Sequence, residues 1–346
     1  MKNECIVGIS GINAVDNPGP GVGLARALRD DHQLKVKIVG LAYDAMEPGI
    51  YLDWLIDKSF ILPYPSSGKE AFIQRLAYIK QSYGLDFIFP NLDSELPLYA
   101  RYCSEIEKLG IRLFVPEPGQ LRLRDKERLP DAAERIGIDS PRTVVLGSFR
   151  ELPGVIKHIG LPVMVKGAMC SAFKAHTEKE AADFFSKIVS QWGYPIILQE
   201  VVKGEEMNVV GVGDGEGGLI GQVGIKKMWI TSLGKIWTGV TVKNLPMLNA
   251  AETFVREYRW KGPFELECIV EGDTVYLIEI NPRFPAWSYF ATGVGVNLPA
   301  NTVRKAFGLP LTNSRDYDAG KLYIRYTYEA ITDLDVFQHI TIKGEN

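Results

Sequence analysis

The chain has 346 residues, more than one compact core usually holds, so two or three subdomains are expected. Hydrophobic residues make up 46% and charged residues 23%, with a formal net charge of -3; this is the balance of a soluble globular protein, and the lack of a basic stripe argues against a nucleic-acid partner. Cys5, Cys103, Cys170 and Cys268 lie far apart with no Cys-x-x-Cys pair, which excludes a zinc ribbon or redox motif and points to reduced thiols in a cytoplasmic chain. The opening MKNECIVGIS is too polar for a signal peptide, and no run of about 18 apolar residues suggests a membrane span.

In chain order, CIVGIS (Cys5–Ser10) reads as a strand, GINAVDNPGPGVG as a Gly/Pro-rich loop and Gly23–Asp30 as a helix. The loop lacks the Gly-x-Gly-x-x-Gly spacing at the strand-to-helix turn, so a bound dinucleotide is disfavoured against a plain connection or the border of a substrate pocket. KVKIVGLAY, DKSFILPYP, DFIFPNLDSE and IRLFVPEP supply further strands. KEAFIQRLAYIKQSYG is an amphipathic helix with Phe72, Leu76, Ile79 and Tyr83 on one face, and SEIEKLG is a helix ending at a glycine. This alternation predicts a small parallel sheet covered on both faces. From about Leu121 the character changes. LRLRDKERLPDAAERIGIDSPRT contains a doubly charged helix and a turn, LPVMVKGAM and YPIILQEVVKGEE are strands around the helix TEKEAADFFSKIV, and MNVVGVGD, LIGQVGIKKM and IWTGVTVK read as antiparallel strands. A helix near Ala250–Tyr258 precedes a hairpin, GPFELECIVEGDTVYLIEINPR, turning at Glu271–Asp273.

Chemistry-bearing residues collect at the strand ends. Lys166 closes an apolar strand and must either reach solvent or meet an anion. The small-residue loop Gly167–Ser171 after it is suited to fold over phosphates. Gln199, Glu200, Val201 and Val202 would form an extended edge that offers adenine a backbone donor and acceptor, and Glu206 beyond the following glycine turn suits ribose hydroxyls. Glu267 and Glu279 stand twelve positions apart among apolar neighbours; that even spacing lets them share a sheet face if neither strand bulges. Two facing buried carboxylates repel unless a cation lies between them. With Asn281 they form a donor set for Mg²⁺, which takes one or two carboxylates and fills its shell with phosphate oxygens and water. Glu265 falls on the same face and is an alternative or an aid to Glu267. The competing reading pairs one glutamate with Arg283 or Lys243.

At this point the chain resembles the ATP-grasp superfamily, most closely its carbamoyl-phosphate-synthetase-like and amino-acid-ligase branch. The resemblance rests on DKERLPDAAERIGIDSPRT, LPVMVKG, LQEVVKGEEMNVVGV, FELECIVEGDTVYLIEINPR and ATGVGVNLP, in the family's order over roughly residues 120–300. It implies an α/β plus α+β fold, with a Rossmann-like pre-ATP-grasp domain (1–118), a small lid lobe with its linker helix (119–202) and a C-terminal lobe (203–346). The same resemblance implies ATP with Mg²⁺, for which Mn²⁺ can substitute. Lys126, on the first helix of that region, and Lys166 would approach the phosphates. Gln199, Glu200 and Val202 would hold adenine, the latter two mainly through backbone, and Glu206 the ribose. Glu267, Glu279 and Asn281 would bind the metal, and Arg283 would meet the γ-phosphate or an acylphosphate, so that Lys166 and Arg283 carry catalysis. One departure is GAMCSAFK, poor in glycine where the family's phosphate loop is rich in it.

The chemistry so implied is activation of a carboxylate as an acylphosphate and its capture by an amine. The substrates would be small molecules, an amino acid or small peptide among them, with no nucleic acid or membrane partner and room for a homodimer. It needs no nucleophilic Ser, Cys or His, and His32, His158, His176 and His339 form no cluster. The rivals are a carboxylase- or kinase-type enzyme of the same fold and a catalytically degenerate nucleotide-binding protein. Phe284, Trp287, Tyr289 and Phe290 are equally readable as pocket lining or core.

Overall fold

A computed structural model of the chain describes residues 4–13, 18–167, 171–231, 234–313 and 315–346. Its strands form three sheets. The first is parallel, with β1 (Cys5–Ile9), β2 (Val36–Ala42), β3 (Lys58–Ile61), β4 (Phe87–Phe89) and β5 (Arg112–Leu113) in the order β3-β2-β1-β4-β5. The β1 and β2 strands read as near-continuous apolar runs because helices cover both faces. One such helix, Lys69–Tyr83, buries Phe72, Leu76 and Ile79 and leaves Tyr83 half-buried.

The second sheet is antiparallel, in the order β6-β9-β7-β8, from β6 (Thr143–Leu146), β7 (Val163–Gly167), β8 (Ala172–Ala175) and β9 (Ile196–Glu200). Its core, with Leu146, Val163, Val165, Phe185, Ile188 and Leu198, shares no member with the other cores. The third sheet has six strands: β10 (Glu205–Asp214), β11 (Leu219–Ile230), β12 (Ile236–Val242), β13 (Lys261–Glu271), β14 (Thr274–Asn281) and β15 (Leu322–Ile324), in the order β14-β13-β10-β11-β12-β15. Among the described residues no helix is long and apolar enough to cross a membrane.

The first and third sheets are packed as one body. A single core joins Ile9, Phe87 and Phe89 of the parallel sheet to Val210, Val212 and Val223 of the six-stranded sheet through Phe284, Trp287 and Phe290. The rings of Phe89 and Phe284 lie 5.8 Å apart. Each buried aromatic of this kind contributes about 1.5–3 kcal/mol, so the first and third sheets do not swing apart easily. The segment after NPR is therefore core at Phe284, Trp287 and Phe290, whereas Tyr289 is half-buried under Arg26 at 3.8 Å. Past β15 the chain leaves the six-stranded sheet. A helix, Leu334–Lys343, returns to the first sheet, where Ile61 N donates to Gly344 O at 2.8 Å and Ser59 N to Asn346 Oδ1 at 2.7 Å.

Strand order reverses between β1 and β4, and the loops leaving these two strands border the crevice where open α/β sheets place ligands. Residues 14–17 of the Gly/Pro-rich loop lie outside the described residues. Its return is close: a Cβ on Gly19 would meet Gly11 O at 2.2 Å, and one on Gly21 would meet Ser10 O at 2.5 Å, so these glycines serve backbone proximity. Across the crevice Glu95 is fully buried. It accepts from the hydroxyls of Ser10 and Tyr43 and from the backbone N–H of Asn91 (2.7 Å) and Leu92 (2.9 Å). Burial pushes its carboxyl up, and these donors oppose the rise. Glu95→Gln puts an amide N–H₂ where acceptors are needed. It is expected to cost about 2–3 kcal/mol, read as a lower urea midpoint at unchanged slope.

Candidate active site

The second and third sheets face each other across a cleft, and strand alternation selects what points into it. On the small sheet, Gln199 pairs with Met164 on β7 and Thr143 on β6, so one face carries Thr143, Gln199, Met164 and Lys166. Lys166 Nζ donates to Gln199 Oε1 at 2.6 Å, and Gln199 Nε2 donates to Thr143 Oγ1 at 3.0 Å. Burial, and then the neighbouring Lys126, pull the Lys166 ammonium down to about 8, against the pull of Glu279, Glu267 and Glu206. Glu200 turns its side chain away, to Arg142 Nε at 2.9 Å, and donates its backbone N–H to Arg142 O. Val202 follows in the loop after β9 with no side-chain polar atom. Residues 168–170 of GAMCSAFK lie outside the described residues; Gly167 N donates to Ser171 O at 3.1 Å.

The opposite wall is β13–β14. The hairpin turns at Gly272–Asp273, pairing Glu271 with Thr274. In an unbroken register that turn sets Glu267 against Ile278 and sends Glu279 to the other face. A bulge corrects this: Cys268 pairs with Leu277, Glu267 with Glu279, and Ile278 is the extra residue. The expectation of an unbulged pair is thus reversed, since the bulge is what brings the two carboxylates onto one face. A second difference concerns exposure. Glu279 is not the buried acid of the hairpin: its side chain is 44% exposed and lies 3.5 Å from Lys126 Nζ. Lys126 itself sits in a 3-10 turn (Lys126–Arg128) before the helix Leu129–Arg135 rather than on the helix.

The buried acid is Glu265, 3% exposed. Its Oε1 accepts from Asn208 Nδ2 and Trp287 Nε1, both at 2.6 Å, and its Oε2 from Asn281 Nδ2 at 2.9 Å. Burial, and then Glu267, push its carboxyl up. With its lone pairs so taken, Glu265 braces Asn281 from behind. Glu267 instead meets Lys227 Nζ at 2.6 Å, and Lys227 also reaches Glu206 at 3.3 Å. Burial acts against ionisation of Glu267, but Lys227 holds its carboxyl below the usual range. Burial likewise opposes the charge on Lys227, and Glu267 and Glu206 outweigh it. Neither Arg283 nor Lys243 is the partner of these glutamates. Arg283, 8% exposed, donates through Nε (2.9 Å) and Nη2 (2.7 Å) to Asp93 Oδ2, from the loop after β4.

The structure therefore gathers Lys126, Lys166, Gln199, Glu206, Glu267, Glu279, Asn281 and Arg283 around one cleft. Sequence reasoning missed Lys227, Lys235, Asp93 and the bracing role of Glu265. The doublet Lys226–Lys227 held a signal, because on a strand one of two adjacent lysines must face the cleft. Among the described residues no three His, Cys, Asp or Glu side chains converge into a cation cage. Two carboxylates and an amide oxygen suit an ion that takes its remaining ligands from phosphate and water. Ammonium groups of Lys227 and Lys126 already lie against Glu267 and Glu279, so cations are favoured here. Asn281 Nδ2 faces Glu265 and Glu267 and its Oδ1 faces Arg283, so the amide would turn over to present oxygen to a metal.

Residues 194–329 match the family described as ATP-grasp in the biosynthetic pathway with Ter operon. The biotin carboxylase domain of 2-oxoglutarate carboxylase from Hydrogenobacter thermophilus, solved with MgADP, ADP and bicarbonate, superposes with a TM-score of 0.69 at 17% identity, covering 92% of this chain and 73% of that one. The match to the ATP-grasp family model covers residues 194–329, and the fold is shared with this neighbour. A second ATP-grasp neighbour, N5-carboxyaminoimidazole ribonucleotide synthetase from Thermus thermophilus, gives a TM-score of 0.66 at 17% identity over 90% of this chain and 81% of that one. By sequence, the carbamoyl phosphate synthase large chain of Saccharolobus islandicus (strain L.S.2.15 / Lassen #1) is 26% identical over 232 residues. That match spans 62% of this chain but only 22% of the synthase, so the chain corresponds to about a fifth of its relative.

Proposed function

We propose that this ATP-grasp protein is an ADP-forming carboxylate–amine ligase acting on small molecules, an amino acid or small peptide among them. The observation that carries the reading is the facing of Lys166 and Lys126 on one wall by Glu267, Glu279 and Asn281 on the other, with Arg283 two residues beyond Asn281. Lys166 and Lys126 would hold the phosphates, Gln199 and the backbone of Glu200 and Val202 the adenine, and Glu206 the ribose. Glu267, Glu279 and Asn281 would hold Mg²⁺ or Mn²⁺, which neutralises phosphate charge when bound. Arg283 would meet the γ-phosphate or the acylphosphate, and attack at the γ-phosphorus is the route such a charge distribution would favour. The small sheet, with its separate core, would close over the cleft and keep water from the acylphosphate. We place the reaction in the cytoplasm, in keeping with the reduced thiols of Cys103 and Cys268.

The test is a screen of carboxylate and amine pairs for ADP release, with hydroxylamine to trap the activated acid as a hydroxamate. ADP and phosphate are expected, released fastest when both substrates are present; stoichiometric AMP and pyrophosphate would overturn the mechanism. A second reading, phosphorylation of bicarbonate, is favoured by the neighbour solved with bicarbonate beside MgADP. It predicts ADP release that depends on bicarbonate alone. A chain that turns over no ATP under any condition is a binding protein, and both readings then fail.

A further inference from the structure

We infer that the first domain aims the active-site arginine: Asp93, fixed in place by Glu95, is the positioning residue for Arg283. This rests on the ligase reading, in which Arg283 meets the transferred phosphoryl group. Arg283 is enclosed, yet its two short contacts both end on one oxygen of Asp93, at 2.9 and 2.7 Å. Among the described residues its other hydrogen bonds are long, to Asn281 Oδ1 at 3.3 Å and Phe284 O at 3.4 Å. The direction of the guanidinium is thus set from outside the lobe that carries it.

Asp93 can do this because its own loop cannot drift. Glu95, two residues on, takes the backbone N–H groups of Asn91 and Leu92 and the hydroxyls of Ser10 and Tyr43. One buried carboxylate so ties the turn to the ends of β1 and β2. The core shared by Phe89 and Phe284 then fixes that turn relative to Arg283 whatever the small sheet does. Charge points the same way. Arg124 Nη1 lies 3.4 Å from Asp93 Oδ1, and Lys235 is close enough to Arg283 to be depressed by burial and then by that guanidinium. Without Asp93, Arg283 keeps Lys235 beside it and is drawn toward Glu265 and Glu279 of its own lobe, away from its present direction. Because Arg283 is buried while the Asp93 side chain is 46% exposed, loss of Asp93 also leaves a buried guanidinium short of a partner, so the labelling rate and the Arg283→Ala background, not stability, separate positioning from a structural role.

The experiment uses the full chain. The first readout is the rate at which phenylglyoxal modifies Arg283, followed by peptide mass spectrometry, which needs no substrate. Asp93→Asn is expected to raise that rate about tenfold and Asp93→Glu to restore part of the protection. The second is ADP release, from slow MgATP hydrolysis or from whichever pair the screen finds. Asp93→Asn should lower kcat about ten- to a hundredfold and leave the Kd for MgADP within about twofold, because the adenine, ribose and inner phosphates are held elsewhere. On an Arg283→Ala background the same substitution should cost nothing further. An unchanged labelling rate, or an equal loss on the Arg283→Ala background, overturns the inference. If the wild-type chain releases no ADP at all, the ligase reading falls instead, and the labelling rate alone decides whether Asp93 holds Arg283.

Discussion

Glu279→Gln is expected to lower ATP turnover by about 10²–10³ while the melting temperature of the ligand-free chain stays level or rises slightly. The reasoning is electrostatic. Glu279 stands directly opposite Glu267 on the sheet, and its ion-pair partner in the ligand-free chain is Lys126 at 3.5 Å, with the Glu279 side chain 44% exposed. An exposed pair of this kind contributes about 0–1 kcal/mol, and relief of carboxylate repulsion offsets its loss. A metal between phosphates, by contrast, loses one of two anionic ligands. ADP release across a Mg²⁺ titration, with calorimetric melting of the same sample, separates the two effects. Wild-type turnover at millimolar Mg²⁺ would remove Glu279 from the metal assignment.

Lys166→Ala is expected to weaken MgATP binding by about ten- to a hundredfold, the loss of one or more charge-assisted contacts to phosphate worth about 1.5–3 kcal/mol. Lys174→Ala should change the Kd little. The pH dependence is distinctive. Burial and Lys126 hold the ammonium of Lys166 to about 8 in the free chain, and a bound polyphosphate favours its charged form. Affinity should be flat below that value and fall as pH rises through it, with protons taken up on binding; titration calorimetry in buffers of different ionisation enthalpy reads this directly. The linkage to folding has the opposite sense to a stabilising ion pair. The folded state binds this proton less tightly than the unfolded chain, so the cost is largest below about 8 and is relieved as pH rises toward the ordinary lysine range near 10.4. Lys166→Met should accordingly raise the melting temperature at neutral pH while impairing nucleotide binding. A flat pH profile would mean that Lys166 does not meet phosphate.

Much of this site was legible because strand endings are legible. Lys166, Gln199 and Glu267 each interrupt or close an apolar run, and an interruption of that kind requires a reason. What escaped notice depends on register and on contacts between distant segments. Nothing in YLIEINPR marks Ile278 as the extra residue, because a bulge is fixed by how the hairpin turn and the core faces of both strands are reconciled. Glu265 and Glu267 look alike in the sequence; they differ because Trp287 and Asn208, from other elements, close around the first and Lys227 reaches the second. Asp93 and Arg283 are 190 positions apart, and no local pattern joins them. The aromatics after NPR were ambiguous because a pocket wall and a shared core have the same composition.

The return of residues 344–346 to β3 has a bearing on how the chain is made. Ser59 and Asn346, 287 positions apart, close the outer edge of the first sheet, and Phe60 forms an antiparallel bridge with Glu345. On the ribosome, β1 to β5 emerge early and can pair among themselves, but the open side of β3 waits until nearly three hundred further residues have been synthesised. At ordinary elongation rates of about 5–20 residues per second that is on the order of 15–60 seconds of exposure for an unpaired edge. The residues that line the cleft, through Arg283, are translated within that interval, so the nascent chain holds every part of the cleft before it completes the sheet with which it began.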